Sequence, residues 1–259
     1  MKNLLFIPCY RCAPQIVRVL ENITEELKFF DEVLVIDNLS PDGTAEIALA
    51  KINELKLSRI KVLRNPSNVG LGGSHKLAFQ YAIDNHFDHV VILHGDDQGS
   101  LKDFTPILEL AQSSKFEDFQ FGARFHPASR LKGYSSFRIF GNLIYNALAS
   151  LLSLKKIYDL GGSGLNLFPV SLIKRHHFSQ YSNDLTFHVF ILLNAFTLKQ
   201  RVKYIPITWR EDDQISNVRL FNQSVKLLKI LCRYFFRPKA FLEPQEVDFC
   251  YGPSEWKQL

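Results

Sequence analysis

Short continuous runs of β-branched and aliphatic residues alternate along this chain with segments whose apolar positions recur at helical spacing. Residues 4–7 form such a run, closed by Pro8, after which Ile16, Leu20, Ile23 and Leu27 recur on a polar background. Residues 32–37 repeat the strand pattern and end on the carboxylate of Asp37. The polar turn at 38–43 then leads into a helix carrying Ile47, Ala48, Ile52 and Leu55. Residues 59–63 predict a third strand. A Gly-rich loop at 68–73 opens a helix over 74–86, and a fourth strand at 90–93 stops abruptly at His94-Gly95-Asp96-Asp97-Gln98. Strands alternating with helices in this rhythm predict an α/β fold with a mostly parallel sheet and right-handed crossovers.

The later chain is less regular. It predicts a helix at 101–113, a strand at 119–123, a loop at 124–133 carrying Arg124, Arg130 and Lys132, and an apolar helix or helix pair at 135–154 followed by Lys155 and Lys156. A small-residue loop at 159–164 leads into an apolar run at 165–168. A helix at 183–198, capped by Asn183, precedes a strand at 202–209. Residues 210–217 are polar, and 218–236 read as an amphipathic basic helix with Phe221, Val225, Leu228 and Cys232 on one stripe. The tail from Pro238 has no clear period, and no internal repeat is present.

Composition narrows the classes. With 259 residues and 46% hydrophobic content the chain can bury a full core. A formal charge of +5 argues against a dedicated nucleic-acid binder and permits a local basic face for phosphates or anionic lipid. No secretory pattern precedes the cysteines, so a cytoplasmic setting is expected. Cys9-Tyr10-Arg11-Cys12 has the C-x-x-C spacing, but Cys232 and Cys250 do not repeat it and no His pair completes a metal set. No run reaches the length of a membrane span: 139–154 is interrupted by Asn142, Asn146 and Ser150, and 187–198 is too short. Any membrane contact is therefore expected to be peripheral, at the inner face. Lys226, Lys229, Arg233 and Arg237 beside the stripe of 218–236 would suit an anionic surface, with 139–154 as a second apolar face. Alternatively both helices pack on the sheet and their charges form a solvated rim.

Ligands in open α/β sheets gather beyond the carboxyl ends of strands, which is where Asp96 falls. Hard oxygen ligands of this kind suit Mg²⁺ or Mn²⁺ together with phosphate oxygens. The bland alternative is a turn, with Asp97 and Asp103 capping the helix that follows. Three strand ends present polar groups toward one edge: Pro8 to Tyr10, Asp37 with Asn38, and Asp96 to Gln98. Without G-x-G-x-x-G after the first strand, the edge suits a single nucleotide with its diphosphate on a metal better than a dinucleotide.

In this arrangement the chain resembles the family 2 glycosyltransferases of GT-A fold, most closely the branch that includes dolichol-phosphate mannosyltransferase. Ile7-Pro8-Cys9-Tyr10 is similar to the family's opening strand end, which borders the nucleotide base. Residues 35–44 resemble its Val-Asp-Asp-Gly-Ser-x-Asp-Gly-Thr signature, and Asn68-Val69-Gly70-Leu71-Gly72 its Asn-x-Gly-x-Gly loop. His94-Gly95-Asp96-Asp97-Gln98 falls on its Asp-x-Asp-x-Gln metal motif. Asp159 with Ser163-Gly164 matches its acceptor-side loop, and Pro206-Ile207 with Arg210 and Ser216 matches the segment that closes over the diphosphate.

The resemblance implies a GT-A, Rossmann-like, mostly parallel sheet flanked by helices over residues 1–217, with a nucleotide half at about 1–123 and an acceptor half at about 124–217. Residues 218–259 would add the amphipathic helix and tail. It implies metal-dependent, inverting sugar transfer from a nucleotide-diphosphate sugar to a polyprenyl phosphate or a glycan. Pro8, Tyr10, Asp37, Asn68, Gly70 and Asp96 would hold the donor. Arg124, Asp159, Ser163, Gly164 and Ser216 would lie on the acceptor side. Asp96, Gln98 and His94 would be the ligands of Mg²⁺ or Mn²⁺.

Three departures stand out. His94 replaces the first acid of the metal motif; its imidazole either ligates the metal or leaves it to Asp96, Gln98 and phosphate. Asn38 replaces an acid. Asn217-Val218 stands where the family has a lysine, so Arg210 or Arg219 would supply that charge. Asp184 lies near the expected position of a general base, and Asn183-Asp184 is equally an ordinary helix cap. Arg124, Arg130 and Lys132 would either steer a phosphate or solubilise a loop. Two other classes remain. A nucleotidyltransferase would need a Gly-rich basic loop after the first strand, and residues 9–14 contain no glycine. A catalytically weak sugar-nucleotide-binding or scaffolding protein would follow if His94 disables the metal site.

Overall fold

The structure, a computed structural model, describes residues 1–211, 213, 220–241 and 255–259. Among the described residues, eight strands form one sheet, in the order β10 (Lys257–Gln258), β3 (Ile60–Arg64), β2 (Glu32–Asp37), β1 (Asn3–Cys9), β4 (His89–Leu93), β7 (Leu165–Pro169), β5 (Asp118–Ala123) and β8 (Arg201–Pro206). The first four strands in sequence are β1 (Asn3–Cys9), β2 (Glu32–Asp37), β3 (Ile60–Arg64) and β4 (His89–Leu93), and all run parallel. Between them lie α1 (Ala13–Asn22), α2 (Thr44–Glu54) and α3 (Gly70–Asp84). The crossover rhythm read from the sequence is thus the observed one, and the fold is GT-A-like.

The continuous apolar runs follow from burial on both faces, because alternate side chains point to opposite sides of a strand. Leu4, Phe6, Val90 and Ile92 pack with Phe79 of α3 and Phe187 and Ile191 of α7 (Phe187–Thr197). Leu5, Ile7, Val91 and Leu93 pack with Ile16 and Leu20 of α1, Ala48 of α2, and Leu108 of α4 (Thr105–Ser113). The sheet is therefore the middle of three layers.

Several later elements depart from the expectation. The strand β7 (Leu165–Pro169) enters the sheet antiparallel, between β4 and β5 (Asp118–Ala123). The apolar run expected at 202–209 breaks in two: β8 (Arg201–Pro206) pairs with β5, and β9 (Thr208–Arg210) pairs with β6 (Arg130–Lys132) in a separate two-stranded sheet. Arg130 and Lys132 thus belong to a strand that the sequence reads as loop. The helix expected at 135–154 is one helix, α5 (Ser136–Ser153), and α8 is observed over Leu220–Phe236. The patternless tail ends in β10 (Lys257–Gln258), antiparallel to β3, with Trp256 Nε1 donating to Asn65 Oδ1 at 2.8 Å.

Two local devices shape the site edge. The Gly-rich segment is not a loop: α3 begins at Gly70, so its glycines lie inside the helix. They admit the backbone of residues 182–183, because Gly72 N donates to Asn183 O at 2.8 Å and a Cβ on Gly72 would stand 2.3 Å from Ser182 O. On the other side, β5 ends at Ala123 and is followed by Arg124. Its guanidinium grips the buried Asp159 through Nε (2.8 Å) and Nη2 (2.8 Å), while its backbone N donates to Asp159 Oδ2 at 3.0 Å.

These contacts carry stability consequences. Gly72→Ala must move backbone and should cost about 1–3 kcal/mol in urea unfolding. Gly141→Ala, in α5 with nothing within 4 Å of the added Cβ, should gain about 0.5–1 kcal/mol. Asp159→Asn leaves a buried guanidinium without its counter-charge and should cost about 3–5 kcal/mol in the same measurement, because the pair is embedded rather than at the surface.

Candidate active site

The sheet order sets β1 between β2 and β4, so their carboxyl ends lie side by side. Hydrogen bonds continue beyond the strands: Asn38 N donates to Cys9 O at 2.9 Å, and Gly95 N donates to Pro8 O at 3.1 Å. Pro8 is buried and Tyr10 is exposed at the mouth. Asp37 is fully buried, its Oδ2 held by Arg64 Nε at 2.8 Å and its Oδ1 by Ser40 N at 3.0 Å. Asn38 Nδ2 donates to Asn68 Oδ1 at 2.9 Å, and Asn68 Oδ1 also accepts Gly70 N at 2.9 Å. The residue that replaces an acid therefore ties the β2 end to the α3 start, and Asn68 and Gly70 lie on the same edge as Asp37.

Beyond β4 the chain turns sharply through Asp97, which has φ of 58°. The two adjacent carboxylates then diverge in role. Asp97 is buried and pairs with Arg18 Nε at 2.6 Å and with Arg210, whose Nε also donates to Asp97 O at 2.7 Å. Asp96 remains partly exposed, 25% by side chain, and its Oδ1 accepts Gln98 N at 3.3 Å. Arg210 N donates to Gln98 O at 2.9 Å, so β9 brings this guanidinium to the flank of the metal motif. The helix-capping role considered for Asp97 gives way to a charge pair with two arginines.

His94 lies under the site. Its backbone N donates to Gly164 O at 3.0 Å, and its Nδ1 is 4.0 Å from Asp96 Oδ2. Gly164, with φ of 74°, is required there because a Cβ would meet the His94 ring at 2.5 Å. Burial, and then the positive charge of Arg124, push His94 down to about 4, so its imidazole is neutral at pH 7 and able to ligate a metal. Its Nε2 is buried without a hydrogen-bond partner. No group of three His, Cys, Asp or Glu side chains among the described residues would by itself hold a metal. The local donor set is Asp96 with Gln98 and His94, which fits a hard cation that takes its other ligands from phosphate and water.

The acceptor-side loop meets this motif directly through Gly164. Ser163 is buried, with its Oγ turned to Leu165 O at 3.2 Å. Asp159 and Arg124 face each other; Arg124 is neither a loop-solubilising charge nor an exposed phosphate steerer, and Asp159 holds its guanidinium charged against the cost of burial. The guanidinium also stacks 5.1 Å from the ring of Trp209, the pocket-wall residue. Arg130 and Lys132 sit across from β9 on the same side.

Asp184 stands in a turn before α7. Its Oδ1 accepts both Thr186 N (2.8 Å) and Thr186 Oγ1 (2.6 Å), and its Oδ2 pairs with Lys226 of α8. Although burial opposes it, these contacts lower its pKa to about 2, which makes it a weak proton acceptor; the expected cap at 183–184 is not formed either, because α7 has Thr186 at its N-cap and Asp184 closes a turn ahead of it, while Asn183 Oδ1 accepts from Lys76 Nζ. Ser216, Arg219, Asp212 and the Asn217-Val218 step lie outside the described residues.

Four contributors escaped the sequence. Arg64 is legible in retrospect, since β2 and β3 are consecutive parallel strands ending on opposite charges in register, Asp37 against Arg64. Arg18 leaves no signal, because its partner Asp97 is 79 residues away. His75 is buried and His188 half-buried beside it: loss of solvent drives His75 to about 3 and His188 to about 4. His75 lies 5.8 Å from the His94 ring, and the His188 ring packs where a Cβ on Gly162 would stand.

Comparison with known proteins agrees with this geometry. The family model described as Glycosyl transferase family 2 matches residues 5–164. A dolichyl-phosphate beta-glucosyltransferase from Dictyostelium discoideum is 26% identical over 223 residues, 84% of this chain and 66% of that protein. A polyprenol monophosphomannose synthase from Mycolicibacterium smegmatis is 22% identical over 217 residues, 81% of this chain and 78% of that protein. This chain thus spans slightly less than two thirds of the Dictyostelium protein's length. Among solved structures, glucosyl-3-phosphoglycerate synthase from Mycobacterium tuberculosis in complex with UDP superposes with a TM-score of 0.65 at 15% identity, over 98% of this chain and 90% of that one. The same synthase with Mn²⁺, UDP and glucosyl-3-phosphoglycerate superposes with a TM-score of 0.63 over 89% and 80%. With the family match covering more than half of its length, this chain belongs to glycosyl transferase family 2.

Proposed function

We propose that this protein transfers a sugar from a nucleotide-diphosphate sugar to a polyprenyl phosphate, with inversion at the anomeric carbon. The observation that carries this is the meeting of the His94–Gln98 turn with Arg210 and with the Asp159–Gly164 loop at one sheet edge, where β1, β2 and β4 end together. The relatives named for dolichyl-phosphate and polyprenol substrates support the acceptor, and the UDP and Mn²⁺ complexes of the mycobacterial synthase support the donor class.

In this reaction an oxygen of the acceptor phosphate forms the new bond to the anomeric carbon. The bond from that carbon to the donor diphosphate breaks, and its electron pair leaves with the nucleoside diphosphate. Charge therefore builds on the departing diphosphate, and preorganised cations beside it lower the barrier. Arg210 is fixed for this by three contacts to the Asp97–Gln98 loop, which hold it without moving at the moment of reaction. A divalent cation held by Asp96, with Gln98 and His94 as neutral ligands, would supply Lewis-acid stabilisation of the same oxygens.

Proton accounting supports a phosphate acceptor. A sugar hydroxyl must lose a proton to a base, whereas a phosphate monoester with a second pKa near ~6 already carries the attacking charge. Asp184, the expected base, is paired with Lys226 and depressed to about 2. Phosphate is accordingly the acceptor that the site can use without it. The competing reading, a sugar-nucleotide-binding protein with little turnover, draws on one observation: His94 stands where the motif has an acid.

Transfer of label from a panel of UDP- and GDP-sugars to polyprenyl phosphate, with Mn²⁺ or Mg²⁺, tests both. Wild type should label the organic phase. Asp96→Asn should lose at least roughly 100-fold, and Asp184→Asn should change the rate by less than about threefold. A loss of about 100-fold in Asp184→Asn would restore a hydroxyl acceptor with a general base. Nucleotide binding without turnover of any donor would favour the binding protein.

A further inference from the structure

The face of α5 turned away from the core is apolar along its whole length. Phe137, Phe140, Leu143, Ile144, Leu151 and Leu154 are between 46% and 86% exposed. Their spacing of three and four residues makes one stripe, about 27 Å long for an 18-residue helix. The opposite face is already committed: Ala149 is in the core, and Tyr145, Leu148 and Leu152 pack against it. α8 lies alongside, joined by Tyr145 Oη donating to Ser224 O at 2.9 Å, and exposes Val225, Leu228, Phe235 and Phe236. An outward apolar surface of this extent is unusual for a freely soluble domain.

Its charge is one-sided. Residues 134–157 contain no Asp or Glu, and neither do residues 220–239. Lys155 and Lys156 close the α5 stripe, while Lys229, Arg233 and Arg237 flank that of α8, all exposed. Beyond Lys155 and Lys156 lies Lys199, at a shallow cavity of about 790 Å³ where Arg201 and Lys203 are paired with Asp118. A second copy of this chain laid on the face would set cations against cations with no carboxylate from either helix. A bilayer bearing anionic headgroups complements both features, because apolar side chains enter the acyl boundary while lysines and arginines stay among the phosphates. No helix among the described residues is long and apolar enough to cross a membrane, so the face would lie on the bilayer rather than span it.

The same helix is wired to the active site. Asn146 of α5 donates to Tyr158 O at 2.7 Å and accepts Leu160 N at 2.9 Å, bracketing Asp159. At the start of the stripe, Arg138 pairs with Glu211, next to Arg210 in sequence. From these juxtapositions we propose that the outward face of α5, extended by α8, docks on an anionic bilayer and sets the mouth of the site at the headgroup level, where a lipid-linked phosphate would enter. The role of the surface rests on the lipid-acceptor reading above; its physical test does not.

The test is flotation of the full chain with phosphatidylcholine vesicles, with and without phosphatidylglycerol, beside the double variant Phe140→Glu/Leu151→Glu. Wild type should float with the anionic vesicles at low salt, and the variant should bind at least roughly tenfold less. Both proteins should unfold at the same urea midpoint and transfer equally to a short, water-soluble prenyl phosphate. Wild type that fails to float, or a variant that floats equally well, would overturn the docking surface. So would sedimentation showing a wild-type dimer that the double variant dissolves, which would assign the face to a second copy. Flotation without transfer to any polyprenyl phosphate would keep the docking surface and remove only the acceptor; transfer without flotation would do the reverse.

Discussion

The geometry of this protein depends on how the backbone at the end of β4 is satisfied. A central buried strand must pair on both sides, and β4 continues to do so past its last residue: His94 N bonds Gly164 O on one flank, and Gly95 N bonds Pro8 O on the other. Those two bonds fasten the acceptor-side loop and the first strand end to the same turn. Space is as restrictive as hydrogen bonding here, since a side chain at Gly95 would meet Cys9 Sγ and one at Gly164 would meet the His94 ring. Asp96 emerges at the edge because the residues before it are pinned.

Electrostatics then sort the carboxylates around that turn. Asp37, Asp97 and Asp159 are buried, and each is matched by arginine: Arg64, Arg18 with Arg210, and Arg124. Leaving any of them without its partner would be costly, so the pairs of Asp37 and Asp159 hold the frame, while Asp97 fixes Arg210 at the edge. Asp96 is the partly exposed carboxylate of the motif, and it faces the edge where a cation and diphosphate would lie. Buried and half-buried histidines complete the floor as neutral groups, His75, His94 and His188 all lying well below their usual range. Such a floor adds no charge of its own, so the cationic character of the edge comes from Arg210 and its neighbours on β6 and β9.

Much of this was legible in the chain itself. The runs that became β1 to β4 announced themselves as doubly buried strands; β2 ends on the expected carboxylate, and Asp96 follows the end of β4 by three residues. The segments 94–98 and 159–164 were singled out in the sequence, and the structure brings them into contact through His94 N and Gly164 O. What escaped had non-local causes. The antiparallel entry of β7 depends on a partner 72 residues earlier, Leu165 against Leu93, as well as on β5. The break at Ile207 is invisible in an apolar run, because both halves are strands that pair with different neighbours. The glycines at 70–73 resemble a ligand-cradling loop, but their space is taken by the chain's own backbone at 182–183. Arg124 and Asp184 illustrate the same limit: a charge in a polar stretch reveals its role only when its counter-charge, 35 residues away for Arg124 and 42 for Asp184, is in view.

If the joined ends of β1, β2 and β4 hold a nucleoside diphosphate on a divalent cation, with Asp96 as its anionic ligand, nucleotide affinity must depend on both the metal and that carboxylate. Calorimetric titration of UDP and of GDP into the protein, with and without Mn²⁺, tests it most directly. The account predicts binding of one of them that tightens at least roughly tenfold with Mn²⁺ in the wild type and loses that gain in Asp96→Asn. Equal affinity with and without the metal, or an Asp96→Asn variant that responds to Mn²⁺ like the wild type, would contradict it.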